Sequence, residues 1–244
     1  MNSFKKNKNR VNLIPMNKFK KISKEDLIKE SWNIIFPSYM LFFIVLMIFW
    51  FCLQIMLSTI QSNILENINP QSVLFIISAY LFQMGLGLGF YKICLNIVEQ
   101  KEINFKQLFA SFYLLITNLL AQIIYYVIIL LSASPGLLLF YLFIKYNINY
   151  IFIILPILII IIPAFYISIR LSFYQFFILD TECSAITSLI RSAQITQNNV
   201  LQLFTISLLF SLIILISLIP LLTGLLVSIP LISIASTLLY VKLK

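Results

Sequence analysis

Six apolar runs, each long enough to cross a bilayer, fill most of the sequence after residue 33. A helix rises 1.5 Å per residue, so about 20 residues span a hydrocarbon core about 30 Å thick. The runs are Ile34 to Leu57, Val73 to Tyr91, Tyr113 to Leu131, Ile151 to Ile169, Leu201 to Ile219 and Leu221 to Val241. The last two share an uncharged stretch from Val200 to Val241, which as one helix would be about 63 Å long. It must turn back, and Pro220 and Gly224 supply the break, since proline disrupts the helix ladder and glycine permits a tight reversal. The fold expected is an all-α polytopic membrane bundle of six helices.

Composition agrees with lipid as the solvent of this fold: 61% of residues are hydrophobic, 10% are charged and the mean hydropathy is +1.02. The 244 residues leave room for one membrane domain, residues 24–244, behind a basic flexible tail, residues 1–23. About 30 residues precede the first apolar run, which is longer than a signal-peptide core and lacks a small-residue cleavage site after it. It reads as a retained span.

The basic residues set the expected orientation. Nine lie before the first span, Lys92, Lys101 and Lys106 in the second connection, Arg170 and Arg191 in the fourth, and Lys242 and Lys244 at the end; only Lys145 falls on the other side. The positive-inside rule puts the rich face, and both termini, in the cytoplasm. Abundant Lys, Ile, Asn and Phe hint at an AT-rich bacterial genome, so the expected location is a bacterial cytoplasmic membrane.

Each odd-numbered span is preceded by a short amphipathic stretch. The first runs from about Lys24 to Trp32, with Ser23 as N-cap, Asp26 at the box position and Ile22 with Leu27 as hydrophobic staple. The second places Phe105, Leu108, Phe109 and Phe112 at i, i+3, i+4 and i+7, capped by Asn104, and the third repeats that spacing with Ile186, Leu189, Ile190 and Ala193. Superposition on Ser31, Ser111 and Ser192 gives steps of 80 and 81 residues, the mark of a threefold hairpin repeat. Chance similarity among interfacial helices is the other explanation.

The chain holds no histidine, which excludes His-based zinc sites, Ser-His-Asp triads and Cys-His dyads. Cys52, Cys94 and Cys183 are not placed to pair in an oxidising compartment. No acidic residue lies deep in a span, so the usual carboxylate of an ion-coupled carrier is missing. No catalytic residue, cofactor or metal ligand is therefore assigned.

Several motifs carry alternative readings. Gly85, Gly87 and Gly89 are three of five glycines; Gly85 and Gly89 share a helix face and suit a close helix contact better than a nucleotide loop, since no strand precedes them. Arg170 ends the fourth span in sequence that stays apolar to Leu179, so the helix continues or bends there. Its guanidinium either snorkels to the interface or holds a lipid phosphate, and Arg191 is a second candidate headgroup contact. Gln54, Gln83, Asn118 and Gln122 are intramembrane amides, the last two on one face at i, i+4, suited to interhelical hydrogen bonds. Pro37, Pro156, Pro163, Pro220 and Pro230 kink helices or help form broken-helix sites.

From Arg170 to Asp180 the sequence reads R-L-S-F-Y-Q-F-F-I-L-D. A short amphipathic stretch with Arg191-Ser192 follows, then the turn Asn198-Asn199, a span, and G-L-L-V-S-I-P-L from Gly224 to Leu231 before Tyr240. This resembles a group of bacterial six-span proteins that includes the YciC-like proteins and the membrane domain joined to some glycerophosphodiester phosphodiesterases. The likeness is close in the C-terminal third and otherwise one of layout. It departs at Asn198, where the group often has glycine, and at Thr187 and Ser188, where alanine is usual. The resemblance implies six spans and no particular activity.

The leading expectation is a non-enzymatic integral protein that binds lipid or serves envelope assembly, with the anionic inner leaflet as partner to its basic tail and interfacial helices, and no nucleic acid. A permease or channel for a small apolar or uncharged solute is the alternative. An enzyme acting on lipids, with Asp180 and Glu182 near Arg170, is a third.

Overall fold

The computed structural model describes residues 23–65, 70–146, 150–219 and 222–244. The basic tail, Ile22 of the expected staple and Pro220 lie outside the described residues.

Among the described residues there are helices and connecting turns but no strands, and six of the helices are long and apolar enough to cross a membrane. We number the helices α1 (Lys24–Ser38), α2 (Met40–Leu65), α3 (Pro70–Val98), α4 (Gln107–Ala110), α5 (Leu115–Lys145), α6 (Ile154–Leu171), α7 (Tyr174–Thr181), α8 (Ala185–Thr196), α9 (Val200–Ser217) and α10 (Leu222–Leu243). Short 3-10 turns, Phe112–Leu114 and Tyr150–Ile153, lead into α5 and α6. The spans are α2, α3, α5, α6, α9 and α10.

The first span starts later than its hydropathy suggests. Ser23 caps α1, accepting from the Asp26 amide at 3.5 Å, but α1 runs on to Ser38, and Tyr39 breaks it before α2 begins at Met40. Leu27, Ser31 and Ile35 form the buried stripe of α1 against α10, so Ile34 to Phe36 belong to the interfacial helix rather than to the span. Burial against another helix overrides the apolar run as a guide to the boundary.

The third span is longer than expected, because α5 passes through Pro135 without stopping. Proline removes the amide that would donate to the carbonyl four residues earlier, here that of Leu131. The Ser134 hydroxyl donates to that carbonyl at 2.8 Å, so no acceptor is stranded in lipid. One residue later Gly136 lets α6 approach: a Cβ there would stand 2.7 Å from the Ile160 backbone nitrogen.

α10 is the centre of the bundle. Half of its apolar window is buried, against 11% for α2, α5 and α9, and it packs on α1, α2, α3 and α9. Near its C-terminal end Tyr240 is fully buried, stacked on Phe176 at 5.2 Å and met edge-on by Phe177 at 5.1 Å. Offset and edge-to-face aromatic pairs add to the area they bury. The Tyr240 hydroxyl donates to Asp180 Oδ2 at 2.7 Å, Lys244 pairs with the same oxygen, and Lys242 pairs with Glu30. These contacts gather α1, α7 and the end of α10 at one end of the bundle. Lys92 of α3 joins them by donating to the Leu179 carbonyl at 2.9 Å. Lys92, Lys242 and Lys244, all expected on the basic face, therefore share one end.

The second amphipathic segment is a single turn, α4, rather than a full helix, with Leu108 buried and Phe105 and Phe109 exposed. In α8 the expected face is divided. Ile186 and Ile190 are exposed, whereas Ser188, Ser192 and Thr196 are fully buried beside Leu189. Large apolar groups lose nothing by facing lipid, while small hydroxyls gain hydrogen bonds inside.

Candidate functional site

Asn118 and Gln122 lie one turn apart near the start of α5. Asn118 is fully buried and neither of its amide atoms has a hydrogen-bond partner; Gln122 Oε1 is likewise buried and unpartnered. A primary amide can make about four hydrogen bonds, and each buried polar group left unsatisfied costs about 1–3 kcal/mol. Such side chains are unusual as mere packing.

Both amides line a chamber of about 220 Å³, with Gln83 and Tyr80 of α3, Trp50 of α2 and Gln175 of α7. Gln83 donates to Gln54 at 3.3 Å, joining α3 to α2, and Gln175 donates to the Tyr174 hydroxyl at 3.3 Å. Its walls thus carry neutral donors and acceptors and no charge.

Two further hollows adjoin it. A groove of about 260 Å³ shares Trp50, Gly87 and Tyr91 with the chamber and is otherwise mostly apolar, its walls including Leu46, Phe90, Leu108 and Ile229. A hollow of about 380 Å³ shares Tyr91 and Gln175 and carries the hydroxyls of Ser168, Ser172, Ser207 and Ser236. Tyr91 lines all three.

The glycine triplet of α3 separates into different roles. A Cβ on Gly89 would lie 2.0 Å from the Leu108 carbonyl oxygen, and one on Gly85 would lie 2.6 Å from the Phe112 ring. The close neighbours at these two positions are α4 and the turn after it, not another span. A Cβ on Gly87 would meet nothing within 4 Å, because Gly87 faces the chamber and groove. The sequence signal for Gly87 was its position between the other two glycines, and the helix-face argument passed over it.

Arg170 turns inward to the protein. Its Nη2 donates to the Ala193 carbonyl at 2.6 Å and Nη1 to the Tyr166 hydroxyl at 3.2 Å. Ala193 lies in the last turn of α8, whose carbonyls lack helical partners, so the guanidinium caps that helix. Lys92 does the same for α7. The Arg170 carbonyl accepts from Ser192 Oγ and Thr196 Oγ1, both at 3.0 Å, while Ser192 Oγ accepts from the Phe173 amide at 3.0 Å. This bracket from α8 holds the bend between α6 and α7. Arg191 Nη1 donates to Thr181 Oγ1 at 3.1 Å. Both arginines considered as headgroup contacts thus have partners within the chain.

Asp180 and Glu182 do not form a pair with Arg170. Asp180 is held by Tyr240 and Lys244, and Glu182 accepts from the Tyr113 hydroxyl. Among the described residues no group of His, Cys, Asp or Glu is arranged to hold a metal ion. No family model, curated protein or solved structure matches the chain.

Proposed function

We propose that this protein is a lipid-binding integral protein of a bacterial cytoplasmic membrane, without a catalytic site, and with both termini on the cytoplasmic side. The observation that carries the reading is the uncharged hollow around Tyr91, where an amide-lined chamber adjoins an apolar groove between spans. Such a pairing of polar and apolar walls suits an amphipathic ligand that enters from the bilayer. The orientation rests on the sixteen basic residues assigned to one face, and the anionic inner leaflet is the surface they would meet. The six-span group resembled in the C-terminal third is part of the same proposal and adds no activity to it.

Native mass spectrometry of the full chain purified in detergent tests the reading. Retention of about one lipid per chain through collisional removal of the detergent is expected, and a bare protein would overturn it. A permease for a small uncharged solute is the second reading, favoured by the meeting of three hollows at Tyr91. Uptake of such a solute into proteoliposomes, with no lipid retained, would support it instead.

A further inference from the structure

Resting on the lipid-binding reading, we infer that the chamber holds the uncharged, hydroxyl-bearing headgroup of a neutral lipid such as a diacylglycerol, with an acyl chain in the adjoining groove. Asn118 presents an unpartnered donor and an unpartnered acceptor from one fully buried side chain, and Gln122 adds an acceptor. A hydroxyl both donates and accepts, so one hydroxyl can accept from the Asn118 amide nitrogen and give its proton to one of the two unpartnered amide oxygens. A carboxylate or phosphodiester offers only acceptors and leaves both amide oxygens, of Asn118 and of Gln122, without a donor.

Charge makes the same selection. No lysine, arginine or acid lines the chamber, the groove or the third hollow. Lys92 and Arg170 donate to the carbonyls of Leu179 and Ala193 instead. An anionic headgroup would be desolvated there without a counter-charge, which costs far more than burying a neutral hydroxyl. Room is sufficient: the chamber's 220 Å³ compares with about 30 Å³ for each water in the liquid.

The opening at Gly87 leads from the chamber into the groove lined by Leu46, Phe90 and Ile229.

Trp50 lines both the chamber and the groove and is one of only two tryptophans. With Trp32→Phe as background, its emission reports on the site alone. The full chain in detergent is titrated with 1,2-dioctanoylglycerol and, separately, with 1,2-dioctanoyl phosphatidylmethanol, an anionic lipid whose headgroup has no hydroxyl. A saturable change in Trp50 emission is expected for the diacylglycerol, at least tenfold tighter than for the anionic lipid. Gly87→Leu projects into open space, and Asn118→Leu removes the unpartnered amide. Each is expected to weaken diacylglycerol binding at least tenfold while leaving the melting temperature in detergent at or above that of the parent. Gly87→Ala, which adds one methyl group to the opening, serves as the milder variant if Gly87→Leu lowers the melt. Equal affinity for the two lipids, or diacylglycerol binding unaltered by Gly87→Leu or Gly87→Ala and by Asn118→Leu, would overturn the inference and leave the lipid-binding reading standing. No response to either lipid, together with a bare protein in the mass spectrometer, would overturn both.

Discussion

The three glycines of α3 are alike in sequence and unlike in surroundings. Gly89 lies against the Leu108 backbone, which cannot swing aside, whereas Gly85 lies against the Phe112 ring, which can. Gly89→Ala is therefore expected to lower the detergent melting temperature most, Gly85→Ala less, and Gly87→Ala not at all. Alanine at position 87 removes the helix penalty of glycine, about 1 kcal/mol. Gly136→Ala is expected to resemble Gly89→Ala, because Ile160 backbone stands in the way. The spacing of glycines in the sequence says that a helix approaches something closely, but it does not name the neighbour. A one-turn helix such as α4 leaves almost no periodic signal. Tyr240→Phe belongs to the same scale: it removes a hydrogen bond to the Asp180 carboxylate and should cost about 1–3 kcal/mol, read as a lower melting temperature with the fold retained by circular dichroism.

Among the elements, the existence of the six spans was legible because lipid leaves a helix no alternative for its backbone groups. Their ends were less so. The α1 boundary at Ser38 depends on Ile35 packing against α10, and the passage of α5 through Pro135 depends on one serine hydroxyl; neither leaves a trace in hydropathy. The period of α8 was readable, but not which side faces inward. In water the isoleucines would turn in, whereas beside lipid Ser188, Ser192 and Thr196 are the buried groups. Ser192→Ala is expected to cost about 1–3 kcal/mol, since the buried Phe173 amide loses its acceptor. Thr196→Val should cost less, because the Arg170 carbonyl keeps Ser192 as a donor. Comparing their melting temperatures in detergent checks the order, and a larger effect from Thr196→Val would show that the bracket works differently.

At the scale of the whole molecule, the grouping of α1, α7, the end of α3 and the end of α10 at one end agrees with the charge asymmetry, and the side of the membrane they face is open to direct test. In a background with Cys52, Cys94 and Cys183 replaced by serine or alanine, single cysteines at Asn67 and Asn147 should react with an impermeant thiol reagent in intact cells. One at Asn198 should react only after the membrane is broken, and the reverse pattern would invert the topology. The chambered site was only partly legible. Asn118 and Gln122 stood out as amides in apolar sequence, but their lack of partners, and the neighbours Trp50 and Gly87 from two other spans, are products of tertiary packing. The central place of α10 has a further consequence for how the molecule is made. It is the last of the six spans to leave the ribosome, so the five earlier spans enter the bilayer around an empty seam. Leu46 of α2 and Leu86 of α3 lie on elements that α10 packs against and are buried in the finished bundle, so the packing of the earlier spans is complete only when α10 takes its place among them.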